Sequence, residues 1–324
     1  MNDQPTTRLA PSPTGALHLG NARTFLVNWA LARQTGWRVL LRVEDLDGPR
    51  IKADAAQLAI DLLAWLGMDW DEGPVYQSAD LSPYKDALRR LAAAGAIYPC
   101  RATRSQLVAA AVSAPNKGDH EVRYSGLSRP DDVTPFDFDD PAHVGAAWRL
   151  RAADEAITLR DELRGEVSHN VQQSVGDFVV ATKAGLPAYQ LAVVVDDHRQ
   201  GVTHIVRGDD LLHSTHRQEL VRRALGIDSS MIVHTHLPMV IGEDGRRLAK
   251  RHGDTRLDAY RKRGVHAERV IGLLAEWCGI GPRQEMGARE FTERFRIDAM
   301  PTDAVVFTAA DDAWLMDGVP GRSG

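Results

Sequence analysis

Ser12-Pro-Thr-Gly-Ala-Leu-His-Leu-Gly-Asn21 is where the fold of this chain is decided. Prolines and a glycine rule out regular structure over residues 11–15, so the chain must turn there. Before the turn, Arg8-Leu-Ala10 reads as a short strand. After it, Ala22, Phe25, Leu26, Trp29 and Ala30 recur at helical spacing, which predicts a helix over 19–35 with Gly36 at its C-terminal cap. Residues 39–43 form the next strand, ending at Glu44-Asp45. Strand, turn, helix and strand in this order open a parallel α/β sheet, and ligands of such sheets sit beyond the carboxyl ends of the strands. His18 and Gly20 therefore fall at a helix N-terminus on the side where ligands bind.

Further along, helices are predicted over 53–66 and 83–94, completing a first half-sheet. Regularity loosens over 101–171, and residues 130–141 hold five aspartates among prolines, the composition of a solvated connection inside an inserted subdomain. The apolar, β-branched runs 191–195 and 203–206 read as buried strands that lead into Asp196-Asp197 and Arg207-Gly-Asp-Asp210. A helix over 214–225 precedes the apolar residues 232–240, and the tail is mostly helical. No internal repeat, P-loop or GxGxxG pattern occurs.

With 324 residues the chain can bury a core without a disulfide or metal staple. Cys100 and Cys278 are too few for a disulfide framework and fit a reducing cytoplasm. No leader pattern precedes Arg8, and no run of about 18 apolar residues exists, so no membrane partner is expected. The net charge of -5 argues against general affinity for nucleic acid, so an RNA partner must meet a local basic surface. Residues 245–263 supply one, with eight Lys or Arg in 19 positions.

Two constellations carry chemistry. A helix N-terminus offers unpaired N–H groups to a polyphosphate, Gly20 allows close backbone approach, and His18 can donate to phosphate oxygens. By spacing alone, a turn with a surface histidine fits equally well. Gly242-Glu-Asp-Gly-Arg-Arg-Leu-Ala-Lys-Arg-His-Gly-Asp254 is a basic, glycine-bounded loop able to meet charge developing on a phosphate. Taken alone it reads as a solvated loop. His213/His216 and His234/His236 have metal-like spacing but no acidic or thiol partner in the same motif, so no metal is expected there.

Ser12 to Asn21 resembles the HIGH signature, and Arg247-Leu-Ala-Lys-Arg251 the KMSKS signature, of class I aminoacyl-tRNA synthetases. Between them, Arg42-Val-Glu-Asp-Leu-Asp47, Tyr189-Gln-Leu-Ala-Val-Val-Val-Asp-Asp197 and Gly201-Val-Thr-His-Ile-Val-Arg-Gly-Asp-Asp-Leu-Leu212 resemble the glutamyl-tRNA synthetase branch. The resemblance implies an α/β, Rossmann-like parallel sheet with an inserted subdomain and a short C-terminal helical stem. Residues 1–100 would be the first half of the catalytic domain, 101–188 the inserted acceptor-type subdomain, 189–256 the second half and 257–324 the stem. It implies ATP as substrate with Mg2+ on its phosphates, L-glutamate, and a tRNA acceptor. Arg8 and Arg207 would be the cations for the glutamate side chain, Glu44 the partner of its ammonium, and Ser12 and Tyr189 hydroxyl donors. Alternatively, Arg207 could pair with Asp209 or Asp210, and Glu44 with Arg42 or Arg50. Pro13, Thr14, Gly15, His18, Gly20, Asn21, Arg247, Leu248, Ala249, Lys250 and Arg251 would hold ATP, with His18 and Lys250 catalytic.

The sequence departs from that branch in three places. Residues 252–324 leave room for a stem and no anticodon-binding domain, as in the group of free-standing catalytic bodies that attach glutamate to queuosine in the anticodon of tRNA(Asp). Asp210-Leu-Leu-His-Ser-Thr-His-Arg-Gln218 is also most similar to that group, and a monomer is expected. Cys100-Arg-Ala102 and Tyr124-Ser-Gly-Leu-Ser128 stand where many relatives have Cys-x-Cys and Tyr-x3-Cys, so two thiolates are missing and no zinc is expected. Ala249 replaces a serine of KMSKS, which bears on rate. The competing functions are a glutamyl-tRNA ligase charging a tRNA 3′ end and a non-catalytic RNA-binding paralogue.

Overall fold

The helix Leu19–Thr35 forms where the apolar spacing places it, and Gly36 closes it in the left-handed region at φ 74°, donating its N–H to the Ala32 carbonyl. The strands Thr6–Leu9 and Arg38–Val43 flank it and pair in parallel, Arg8 opposite Leu40. Glu72–Tyr76 joins as a third parallel strand. The helix lies on this sheet through a buried polar tie: Thr7 Oγ1 donates to Asn28 Oδ1 at 2.8 Å, and Asn28 Nδ2 to the Arg8 carbonyl at 2.9 Å. The computed structural model describes residues 4–13, 16–46, 54–103, 105–106, 123–246, 248 and 255–317.

By its contacts the chain divides into two compact units. The first comprises residues 1–79, 202–210 and 233–324. Beside its parallel sheet runs the pair His204–Gly208 and Val233–Leu237, also parallel, with Arg207 opposite His236. Thr203 donates its N–H to the Thr6 carbonyl at 2.9 Å and receives the Thr6 N–H on its hydroxyl at 3.0 Å, joining the pair to the first strand. The apolar run 232–240 breaks at Pro238, which has no N–H for a ladder, and Val240–Gly242 pairs instead with Val305–Phe307. The tail is mostly helical, with Leu257–Lys262, Ala267–Trp277, Ala288–Arg294 and Ala309–Met316. Arg23, buried, donates to the Pro238 carbonyl at 2.7 Å and the Trp277 carbonyl at 3.0 Å, anchoring the first helix to this region.

The second unit comprises residues 80–201 and 211–232. Ile97–Cys100, Ala147–Leu150 and Phe178–Ala181 form an antiparallel sheet, and Ala156–Asp161 and Gly165–Asn170 a hairpin. Its helices are Ser82–Ala93, Tyr189–Arg199 and Leu212–Leu225. One expectation fails here: residues 191–195 are not a strand but the centre of the helix Tyr189–Arg199. Gln190 to Asp197 are all buried, so no polar face interrupts the apolar run and periodicity cannot tell helix from strand. Burial overrides the weak helix propensity of three successive valines. Asp196 is buried in return for accepting the Tyr84 hydroxyl at 2.8 Å.

Candidate active site

His18 is the N-cap of the first helix, and its side chain is committed locally. Its Nδ1 accepts the Gly20 N–H at 3.1 Å, while its own N–H goes to Asn21 Oδ1 at 3.2 Å, a reciprocal capping box. An accepting Nδ1 places the proton of the neutral ring on Nε2, which makes that nitrogen the ring's donor. A Cβ on Gly20 would stand 3.0 Å from His18 Cε1 and 3.1 Å from Nδ1. The glycine thus makes room first for the imidazole itself, a reason the sequence did not reveal.

The backbone around His18 is zipped to the exit of the basic loop. Leu19 donates to the Thr255 carbonyl at 3.2 Å, Leu257 to the Leu17 carbonyl at 2.9 Å, and His18 and Arg256 form an antiparallel bridge. The first motif therefore meets residues 255–257, which follow the second motif in sequence. Leu248 is buried at 4% exposure. Thr14, Gly15, Arg247, Ala249, Lys250 and Arg251 lie outside the described residues.

Three expected glutamate residues share the first unit. Arg8 and Arg207 are buried at 5% and 4% exposure on their strands, and Glu44 follows directly after the strand Arg38–Val43. The Glu44 N–H donates to the Pro11 carbonyl at 3.1 Å, so the strand end is tied to the turn that carries exposed Ser12 and buried Pro13. The Arg42–Glu44 pair weighed as the alternative does exist: Nη2 of buried Arg42 stands 3.3 Å from Glu44 Oε1. Arg207 donates from Nε to His236 Nε2 at 3.0 Å, a partner that no local sequence pattern shows, because only the register of the two strands puts His236 opposite Arg207. Tyr189 belongs to the second unit, where it opens the helix Tyr189–Arg199 with 39% of its surface exposed.

The positions expected to have lost zinc come together in the second unit. Cys100 Sγ lies 3.7 Å from the Tyr124 hydroxyl and donates to Ser128 Oγ at 3.5 Å, with Ala102 packed against the same cluster. One thiol, two hydroxyl-bearing side chains and a methyl group do not make a closed zinc site. An organic network occupies the space: Arg149 stands over the Tyr124 ring at 3.9 Å and donates to the Asp177 carbonyl at 2.7 Å. Asp177 accepts Tyr98, Arg129 and the Ala152 N–H at 2.6, 3.0 and 2.8 Å. Among the described residues no group of three or more His, Cys, Asp or Glu is arranged to hold a metal ion. His216 donates from Nε2 to the Val167 carbonyl at 3.2 Å, and burial pushes its pKa down. Among the described residues no helix is long and apolar enough to cross a membrane.

Residues 5–309 match the catalytic domain of the class I tRNA synthetases for E and Q. The chain belongs to this family. As a class I synthetase it is an ATP-using ligase on an α/β frame. It is 46% identical over 297 residues to the glutamyl-Q tRNA(Asp) synthetase of Rhodopirellula baltica, covering 88% of each chain. It is 42% identical over 322 residues to the glutamyl-Q tRNA(Asp) synthetase of Symbiobacterium thermophilum, covering 96% of this chain and 98% of that one. The glutamate–tRNA ligase of Geobacter sulfurreducens is 38% identical over 311 residues, with 95% of this chain matching 64% of that protein. The crystal structure of a glutamate tRNA ligase from Elizabethkingia meningosepticum, in complex with its amino acid, superposes with a TM-score of 0.79 at 25% identity, over 97% of this chain and 69% of that one.

Proposed function

We propose that this synthetase activates L-glutamate as glutamyl-adenylate and transfers the glutamyl group to queuosine in the anticodon of tRNA(Asp). The observation that carries the activation step is the backbone pairing of Leu17 to Leu19 with Thr255 to Leu257, which brings the HIGH-like cap and the exit of the KMSKS-like loop together. In the same unit lie Arg8, Glu44 and Arg207, a cation, anion and cation suited to a substrate with two carboxylates and an ammonium. The glutamate α-carboxylate attacks the α-phosphorus of ATP, the bond to the β-phosphate oxygen breaks, and pyrophosphate leaves with the electron pair. Positioning and charge stabilisation do most of the work in such displacements. His18 Nε2–H and Lys250 meet the phosphate charge, with Pro13, Thr14, Gly15, Gly20, Asn21, Arg247, Leu248, Ala249 and Arg251 shaping the nucleotide site. Ser12 and Tyr189 contribute hydroxyls to glutamate. Mg2+ bound with ATP would offset charge on its phosphates. A hydroxyl of the tRNA then attacks the acyl carbon and AMP departs.

For the acceptor, support comes from the relatives named for queuosine, 42% to 46% identical and matched over 88% to 98% of their lengths. The basic residues 245–263 are the proposed phosphate contacts. Activation is tested by ATP–pyrophosphate exchange without tRNA. Exchange that depends on glutamate, and on no other amino acid, is expected. Exchange driven by a different amino acid, or none at all without tRNA, overturns this step.

A further inference from the structure

One hydrogen bond donated by Arg207 goes to an imidazole rather than to a carboxylate. Arg207 is 4% exposed and His236 fully buried, and they stand opposite each other on neighbouring parallel strands. The guanidinium Nε–H donates to His236 Nε2 at 3.0 Å. An imidazole nitrogen that accepts is unprotonated, so His236 is neutral with its proton on Nδ1. The ring of His234, two residues earlier on the same face of the strand, is stacked 6.1 Å away at 24°. A carboxylate in the place of this imidazole would hold Arg207 more strongly, but it would bring a negative charge of its own. A neutral acceptor fixes the plane of the guanidinium without adding that charge.

We infer that His236 is a positioning residue for the glutamate site: through Nε it orients the Arg207 guanidinium so that its Nη groups face the substrate carboxylate, and as a neutral ring it sets no competing anion beside them. The inference rests on the glutamate role of Arg207 proposed above. With Nε engaged by the imidazole, the edge that bears the two Nη atoms is the one whose geometry matches a carboxylate. His236 never touches glutamate, so losing it should cost substrate affinity rather than the chemistry on the phosphate.

Glutamate-dependent ATP–pyrophosphate exchange of His236→Leu, His236→Gln, Arg207→Lys and the double variant Arg207→Lys/His236→Leu tests this. For His236→Leu, the KM for glutamate should rise on the order of tenfold or more, the scale of one hydrogen bond to a charged group, while the KM for ATP stays at the wild-type value. The side chain introduced by His236→Gln presents an amide oxygen near the same place, so that variant should keep most of the affinity. Lysine lacks the Nε–H of a guanidinium, so in the Arg207→Lys background His236→Leu should add little. A glutamate KM unchanged in His236→Leu, or effects that multiply fully in the double variant, overturns the positioning role. If Arg207→Lys itself leaves the glutamate KM unchanged, the glutamate role of Arg207 is what fails. Nitrogen-15 spectra of the imidazoles in the unaltered protein give a check that survives any misfolded variant. Nδ1-protonated, Nε2-bare His236 is expected, and an Nε2-protonated ring contradicts the hydrogen bond.

Discussion

His18 is the residue at which the fold meets the proposed chemistry. Its Nδ1 accepts at the helix N-terminus, so in the neutral ring the proton sits on Nε2, the tautomer that donation from Nε2 to a phosphate would need. Gly20→Ala should disturb this, because the added methyl would press on the imidazole at 3.0 Å. The expected outcome is a slower exchange reaction with a weaker KM for ATP and little change in the KM for glutamate. Unaltered ATP kinetics would mean that the ring position is irrelevant to the nucleotide. For Lys250, Lys250→Ala should slow activation by roughly 10^2- to 10^3-fold, the scale for losing one charge-stabilising donor. Exchange at the wild-type rate would remove Lys250 from the mechanism. His18, Glu44 and Arg207 were nominated by the family resemblance of the motifs that carry them, since spacing alone left each with a local alternative. His236 was legible only as half of a His-x-His pattern, because its meaning depends on the register between two strands far apart in sequence.

At the scale of elements, legibility follows how burial is distributed. The helix Leu19–Thr35 was readable to the residue because apolar spacing and a left-handed glycine cap agree. The helix Tyr189–Arg199 was not, because burial of nearly every side chain erases the polar face on which periodicity depends. The antiparallel sheet of the second unit was hidden for another reason. Its strands have four residues each, too short for alternation to register, and long connections separate them. The cluster around Cys100 is the other element-scale result. Cys100, Tyr124 and Ser128 meet as the spaced pattern implied, yet hydrogen bonds and the Arg149–Tyr124 contact hold them. Purified protein should therefore contain less than stoichiometric zinc and keep its thermal midpoint in chelator. One tightly held zinc per chain would refute this. Tyr98→Phe should instead destabilise the protein by about 1–3 kcal/mol, since it takes a 2.6 Å donor from the buried carboxylate of Asp177. A denaturant midpoint equal to wild type would show that this network contributes nothing to stability.

For the whole molecule, the balance of charge and the family relationship bear on the acceptor. An acidic chain of net charge -5 that carries eight cations within residues 245–263 should bind RNA through that local surface, with affinity falling as salt rises. The relatives include glutamyl-Q tRNA(Asp) synthetases and glutamate–tRNA ligases, and the chain matches members of both along most of its length. Two acceptors therefore compete, queuosine in the anticodon and the 3′ end of a tRNA. That choice is decided by incubating the protein with ATP, radioactive glutamate and tRNA from queuosine-competent or queuosine-deficient cells, then mapping the label by nuclease digestion. Label in the anticodon fragment of tRNA(Asp), present only with queuosine-containing tRNA, is expected. Label on the 3′-terminal adenosine, or equal labelling of queuosine-free tRNA, would contradict the proposal and assign the chain to ordinary tRNA charging.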